Sequence, residues 1–462
     1  MAAAVAFSTQ VFAPDPAPSD KPYDAAGQLE IYGGKRAVPT PRPLLELGRE
    51  LYREGPLRPS RTWLGRKNPV SPQLTAYGDL RLAAARNDVG PAEGGVLAAR
   101  MNLDVDLKLT ASERVHAFLR PLEKDGLATR FDFGPGQDRG IVRGDPVPQA
   151  LFFEGDLARL WEGVSGKNNG RDLPFSAGLM PLIFQNGIWV EDAFTGAALA
   201  LPALNSPALD ISNADLTFFA GFDKVTTGAV PDDANADVYG AAAFVEAGSG
   251  YWEFGYGFTD AQGRFADNDV HSAAASFTRR YWGKVSNSLR VLGNWGQERR
   301  LTEARRSADG ALLLLENSWV SANPTSFVPY LNLFAGFERP QSLARDAGAG
   351  GVLKNTGILF EADGLTGFPT MDASGHDSWG GALGLEYLFA LDRQVVVEAA
   401  ELRVQGGALV PGRPAKGHQR GLGIRVQQPL SRAWILRADA MAARREHDRA
   451  VSGARIELRR KF

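Results

Sequence analysis

The chain has no cysteine among its 462 residues. That excludes disulfides, thiolate metal sites and the Cys-x-x-Cys-His attachment of c-type haem, so no haem is bound covalently in that way. Histidine is scarce too: the five are His116, His271, His376, His418 and His447, and no two stand at zinc-ligand spacing. No apolar run approaches the ~18 residues that a membrane-crossing helix needs. There is no Walker loop and no Gly-x-Ser-x-Gly elbow. A formal net charge of -2 supplies no general attraction to nucleic acid, and no nucleic-acid partner is expected. Asp232, Asp233 and Asp237, and separately Asp267 and Asp269, read as solvated loop charges rather than calcium ligands. Ser374 and His376 share a long loop without a readable orienting group. The chain is therefore read as a non-enzyme, with no catalytic residue, cofactor or metal site.

A chain this long exceeds one ordinary core, yet no linker rich in Ser, Pro or Gly divides it. One large closed sheet resolves the tension, and the residues present favour it. A strand turns successive side chains to opposite faces. Leu97, Ala99, Met101, Leu103, Val105, Leu107 and Leu109 alternate with Arg100, Asn102, Asp104, Asp106 and Lys108. Trp252, Phe254, Tyr256 and Phe258 oppose Glu253, Gly255, Gly257 and Thr259, and Trp434, Leu436, Ala438 and Ala440 oppose Arg437 and Asp439. At the end of the chain Ala454, Ile456, Leu458 and Phe462 oppose Arg455, Glu457, Arg459 and Lys461. One face suits lipid and the other water, as in a transmembrane barrel. A 44% hydrophobic content with a mean hydropathy of -0.20 fits, because a polar lumen dilutes an apolar exterior.

From residue 72 onward the pattern predicts an all-β transmembrane antiparallel barrel of about eighteen strands, with sixteen the alternative count. Its candidate strands include 114–122, 148–161, 394–405 and 450–462. Connections alternate long and short: the stretches at 124–145, 224–236, 299–310 and 339–378 are long, whereas 110–113, 247–249 and 283–285 are tight. Long outside loops and short periplasmic turns are the expected asymmetry of an outer-membrane barrel. Loop 339–378 is the natural constriction, being long enough to fold inward. Trp161, Tyr281, Trp282, Trp295, Trp379 and Trp434 fall near strand ends, where aromatic girdles sit. Glu398 interrupts the face carrying Val396, Ala400 and Leu402, which reads as the lipid side with a bulge at the acid.

Residues 1–13 read as the remnant of a signal peptide or as a plain terminus. Residues 14–71 read as a periplasmic segment with one short helix, in which Leu44, Leu47 and Leu51 share a face. The expected lumen lining is Arg100, Asp104, Asp106, Lys108, Arg425, Arg437, Asp439, Arg455, Glu457, Arg459 and Lys461. Its arginines favour anions unless neighbouring strands neutralise them.

Segment 173–187, with Leu173, Pro174, Phe175, Gly178 and Gly187, resembles the strand-and-glycine pattern of porin-like outer-membrane proteins, a broad class that includes alginate-export barrels and the barrels of porin-cytochrome conduits; the terminal Phe462 adds to the likeness. Arg460 departs from it. The resemblance implies a Gram-negative outer membrane, contact with its lipid, and delivery by the barrel-assembly machinery through the last strand. It implies a passive channel for small hydrophilic solutes, to which the arginine lining adds anions as one expectation. The alternatives are a sheath around a periplasmic or lumen-inserted multihaem cytochrome in electron transfer, and a polysaccharide export pore.

Overall fold

Eighteen antiparallel strands, each paired with its neighbours in sequence, close into a barrel when the last meets the first. The computed structural model describes residues 41–48, 70–89, 93–124, 126–134, 138–167, 170–231, 233–298, 306–319, 326–389 and 393–462. The strands are β1 Val70–Asp88, β2 Glu93–Thr110, β3 in two pieces (Arg114–Leu119 and Leu127–Phe133), β4 in two pieces (Arg139–Ile141 and Ala150–Asp156), β5 Pro174–Phe184, β6 Val190–Ser206, β7 Ile211–Asp223, β8 Ala236–Ala247 and β9 Gly250–Ala261. They continue as β10 Val270–Tyr281, β11 Val285–Trp295, β12 Asp309–Trp319, β13 Phe327–Arg339, β14 Ser378–Phe389, β15 Arg393–Val404, β16 Gln419–Pro429, β17 Trp434–Arg445 and β18 Val451–Lys461.

The closing seam runs from Asp79 opposite Lys461 to Asp88 opposite Ser452. Phe462 extends it by exchanging two backbone hydrogen bonds with Gly78, at 2.9 and 3.0 Å. Below that point β1 would present a bare edge, which is costly in any sheet. The short strand Leu45–Leu47 covers it, pairing antiparallel with Leu74 to Ala76. This corrects the helix expected around Leu44 and Leu47: Leu45 to Leu47 are extended because an unpaired strand edge is there to bond them. Leu51 and residues 1–13 lie outside the described residues.

The alternation turns apolar side chains outward. Leu97 (52% exposed), Leu383 (61%) and Ile456 (58%) stand on the exterior, where a soluble strand would bury them. Trp282 and Trp434 sit outward at the short-turn end, and Trp295 and Trp379 at the long-loop end. Two aromatic belts bounding an apolar band are what a bilayer requires. Trp161 is not part of a belt. The strand expected over 148–161 stops at Asp156, whose carboxylate caps the helix α1 (Leu157–Ser165) by accepting from the backbone N–H of Ala158 (2.8 Å) and Arg159 (3.0 Å). The long loop expected over 124–145 also shortens, because Leu127–Phe133 completes β3 after an inserted turn.

Candidate functional site

The segment 340–377 leaves the end of β13 and folds into the barrel instead of outward. Asn294 accepts the Gln341 N–H at 2.8 Å, and the Ser342 hydroxyl donates to the Ile188 carbonyl at 2.6 Å. Ala344 and Arg345 then run parallel beside Val190 and Glu191 of β6, where Lys354 pairs with Glu191. From there the chain crosses the lumen. Leu353, Leu359, Phe360 and Met371 make a dry cluster with the inward side chains Leu312, Leu314, Phe334 and Leu402. On the far side Leu365 packs on Ala83, Ala98 and Ala128 of β1 to β3, and Asn87 donates to the Thr366 and Gly367 carbonyls at 3.0 and 3.2 Å. The loop expected as the constriction is thus anchored on opposite walls.

Small inward residues of the wall make room for this filling. A Cβ at Gly257 would collide with the Leu343 side chain. Glu398 is the sharpest accommodation. Its carboxylate, 1% exposed, accepts from the backbone N–H of Ile358 and Leu359, both at 2.9 Å, and from the Tyr330 hydroxyl. Gly357 is required at this approach, since a Cβ there would collide with the same carboxylate. Here the expectation of a lipid-side acid is overturned. Val396, Glu398, Ala400 and Leu402 face inward, whereas Val397 faces out at 51% exposure. The apolar members of this inward face meet a folded loop, not lipid.

Charge gathers on β16 to β18. Arg425, Asp439 and Arg455 lie directly opposite one another across three strands. Asp439 accepts from Arg425 (2.7 Å), Arg437 (2.8 Å) and Arg455 (2.7 Å). The loop supplies two more acids: Glu361 pairs with Arg425 at 2.6 Å and Asp363 with Arg455 at 2.7 Å, while the Phe368 ring lies 5.0 Å from the Arg455 guanidinium. Glu457 meets Arg459 at 3.4 Å. A second group joins β1 to β4. Asp106 accepts from Tyr77 at 2.7 Å and contacts the His116 ring at 2.8 Å, with Asp104 3.5 Å from the other ring nitrogen. Arg100 pairs with Glu123 at 2.6 Å on the turn inserted into β3. The expected lining therefore divides: Arg100, Asp104, Asp106, Arg425, Arg437, Asp439, Arg455, Glu457 and Arg459 enter these inward networks, while Lys108 and Lys461 are exposed near strand ends.

Sequence reasoning passed over Asp79 and Arg81, which pair at 2.6 Å on β1. Their two-residue spacing, with Leu80 between and Leu82 after, is the alternation used elsewhere and reveals them. Glu361 and Asp363 stand in irregular backbone and carry no such signal. Ser374 donates to Asp372 at 3.0 Å and the His376 ring faces Gln341 at 3.2 Å, so this pair is not arranged as nucleophile and base.

Burial opposes ionisation of Asp363, but Arg455 and the hydroxyl and N–H of Thr366 outweigh it and hold the carboxyl below its ordinary value. A carboxyl whose folded pKa is lowered contributes stability that is complete above the unfolded pKa and lost as pH falls through the folded one. Protection of the loop from an acid-tolerant protease is therefore expected to persist from neutrality into the usual carboxylate range and to fail only in stronger acid. Loss of protection already at mildly acidic pH would contradict the assigned anchor.

An apolar exterior, a closed ladder and a polar inner wall crossed by one loop define a membrane-spanning barrel of the porin type. No family model matches the chain, and no curated protein matches it. Solved structures do share the fold. OccK5 (OpdH) of Pseudomonas aeruginosa is 10% identical, covering 84% of this chain and 98% of that one with a TM-score of 0.54. OccK7 (OpdD) of the same organism is 11% identical with the same coverage and a TM-score of 0.52. OccAB4 of Acinetobacter baumannii is 10% identical, again covering 84% and 98%, at 0.51. The architecture is that of the Gram-negative outer-membrane porins.

Proposed function

We propose that this chain is an outer-membrane channel through which small hydrophilic solutes pass down their gradients, with a preference for anions. The observation that carries the preference is the depth at which paired charges sit. Arg459 is 27% exposed and its partner Glu457 5%; Arg120 is 31% exposed and Glu123 4%. Arg437 likewise stands above Asp439. At these three pairs the guanidinium groups meet the water while their carboxylates lie behind them, which offers a positive surface to a solute passing there. Elsewhere the order is reversed and limits the preference: Glu361 and Asp104 are the more exposed partners of their pairs, as are Glu253 and Glu316 beside Arg290 and Glu191 beside Arg345.

The protein alone, in a planar bilayer under a potassium chloride gradient, is expected to conduct with a reversal potential of anion-selective sign. Arg437→Gln with Arg459→Gln is expected to move that potential toward the cation side while leaving most of the conductance. A cation-selective wild type would overturn the preference; a folded, inserted barrel that does not conduct would overturn the channel. Occupation of the lumen by the chain's own loop supports a pore over a sheath holding a multihaem cytochrome, because a partner would first have to displace that loop.

A further inference from the structure

The outer face of β14 to β17 near the long-loop end combines a concave apolar surface with a row of basic side chains. Gly381, Ala399 and Ala442 replace the large side chains found elsewhere and leave a groove of about 1320 Å³, walled by Leu333, Leu383 and Leu422. Above it runs a basic row. Gly381, Glu401, Arg420 and Arg444 lie directly opposite one another on four adjacent strands, with Arg403 two residues beyond Glu401. Glu401 accepts from Arg403 at 2.8 Å and from Arg420 at 3.1 Å, and the Arg403 guanidinium stands 5.6 Å from the Trp379 ring. Two guanidinium groups share the Glu401 carboxylate while Arg444 lies opposite Arg420 on the next strand, and Arg420 and Arg444 are exposed.

We propose that this groove binds a phosphorylated, multiply acylated glycolipid of the outer leaflet, its acyl chains along the small residues and its phosphate on Arg420 and Arg444. The inference rests on the membrane-spanning reading of the barrel. Long loops mark the outer side, so the basic row lies at the headgroup level of the outer leaflet. Guanidinium is the donor best shaped for phosphate, which it can hold through two parallel bonds. Apolar chains gain by filling a concave apolar surface. A second copy is the poorer occupant, because a two-fold contact through this patch would set the arginine row against itself.

The test uses the intact barrel extracted from outer membranes in mild detergent and analysed by native mass spectrometry. Wild-type barrel is expected to retain one phosphorylated glycolipid. After delipidation it should rebind purified diphosphorylated glycolipid at least about tenfold more tightly than phosphatidylglycerol or inorganic phosphate. Arg420→Gln with Arg444→Gln is expected to weaken rebinding about tenfold or more, the loss of charged hydrogen bonds. Ala442→Trp, which fills the groove and keeps every arginine, should weaken it as well. Equal binding by wild type and both variants, equal competition by phosphatidylglycerol, or a lipid-free dimer disrupted by Ala442→Trp would overturn the proposal. Wild-type barrel that inserts and conducts yet retains no glycolipid would sink the groove alone. A protein that stays in solution without detergent would sink the membrane reading beneath it.

Discussion

Replacing residues 341–375 with a short glycine-rich turn is expected to raise single-channel conductance several-fold. The strands that the loop joins are already neighbours: Gly336 lies opposite Ser378, and Asp377 donates its N–H to the Glu338 carbonyl at 3.0 Å. A tight turn there would close an ordinary hairpin, so the barrel wall needs nothing from the loop. The loop's contents are another matter. Leu353, Leu359, Phe360 and Met371 exclude water from the lumen beside Leu312, Phe334 and Leu402, and a barrel of this strand number is wide enough to hold an aqueous channel without them. Excision also exposes those inner apolar side chains, so a lower melting temperature should accompany the larger current. Unchanged conductance in a correctly folded variant would show that the loop does not limit flow.

Arg455→Ala is expected to release the far end of the same loop. The guanidinium is 3% exposed and bonds Asp363 and Asp439, both at 2.7 Å. Taking it away leaves the Asp363 carboxylate without its paired cation in a site with little water, and breaking one partner of a buried pair costs roughly 3–5 kcal/mol. Asp439 keeps Arg425 and Arg437, whereas among the described residues Asp363 keeps the hydrogen bonds from the Thr366 hydroxyl and the Leu365 and Thr366 N–H groups. The strain therefore falls on the loop. Faster proteolysis within 350–375 and noisy, interrupted currents should result, with the barrel itself still folded. Adding Asp363→Asn removes the orphaned charge and should recover part of the loss; a double-mutant cycle without coupling between the two positions would refute the pairing.

Strands announce themselves when a polar face meets water and an apolar face meets lipid, and 95–109 and 450–462 were legible for that reason. The pattern misled where another part of the chain replaced one of those media. Along β15 the apolar inward face meets Ile358 and Leu359, so Glu398 read as an intruder on a lipid face instead of the cap that holds the loop. The second half of β3 was hidden by its shortness, since seven residues behind an inserted turn, Leu127–Phe133, carry too few alternations to separate from a loop. Of the inward charges, those on strands could be read from parity. Glu361 and Asp363 could not, because irregular backbone imposes no period on its side chains.

Order along the chain determined the barrel: alternation sets which side of each strand seeks lipid, and the lengths of the connections set which end carries the loops. Those are local properties, fixed by the two-residue period of extended backbone and by the reach of a turn. Tertiary structure alone decided that segment 340–377 enters the lumen and that Asp439 sits among three arginines. The first depends on residues brought together across the barrel from distant positions and the second on the register between neighbouring strands, and neither kind of contact leaves a period in the sequence.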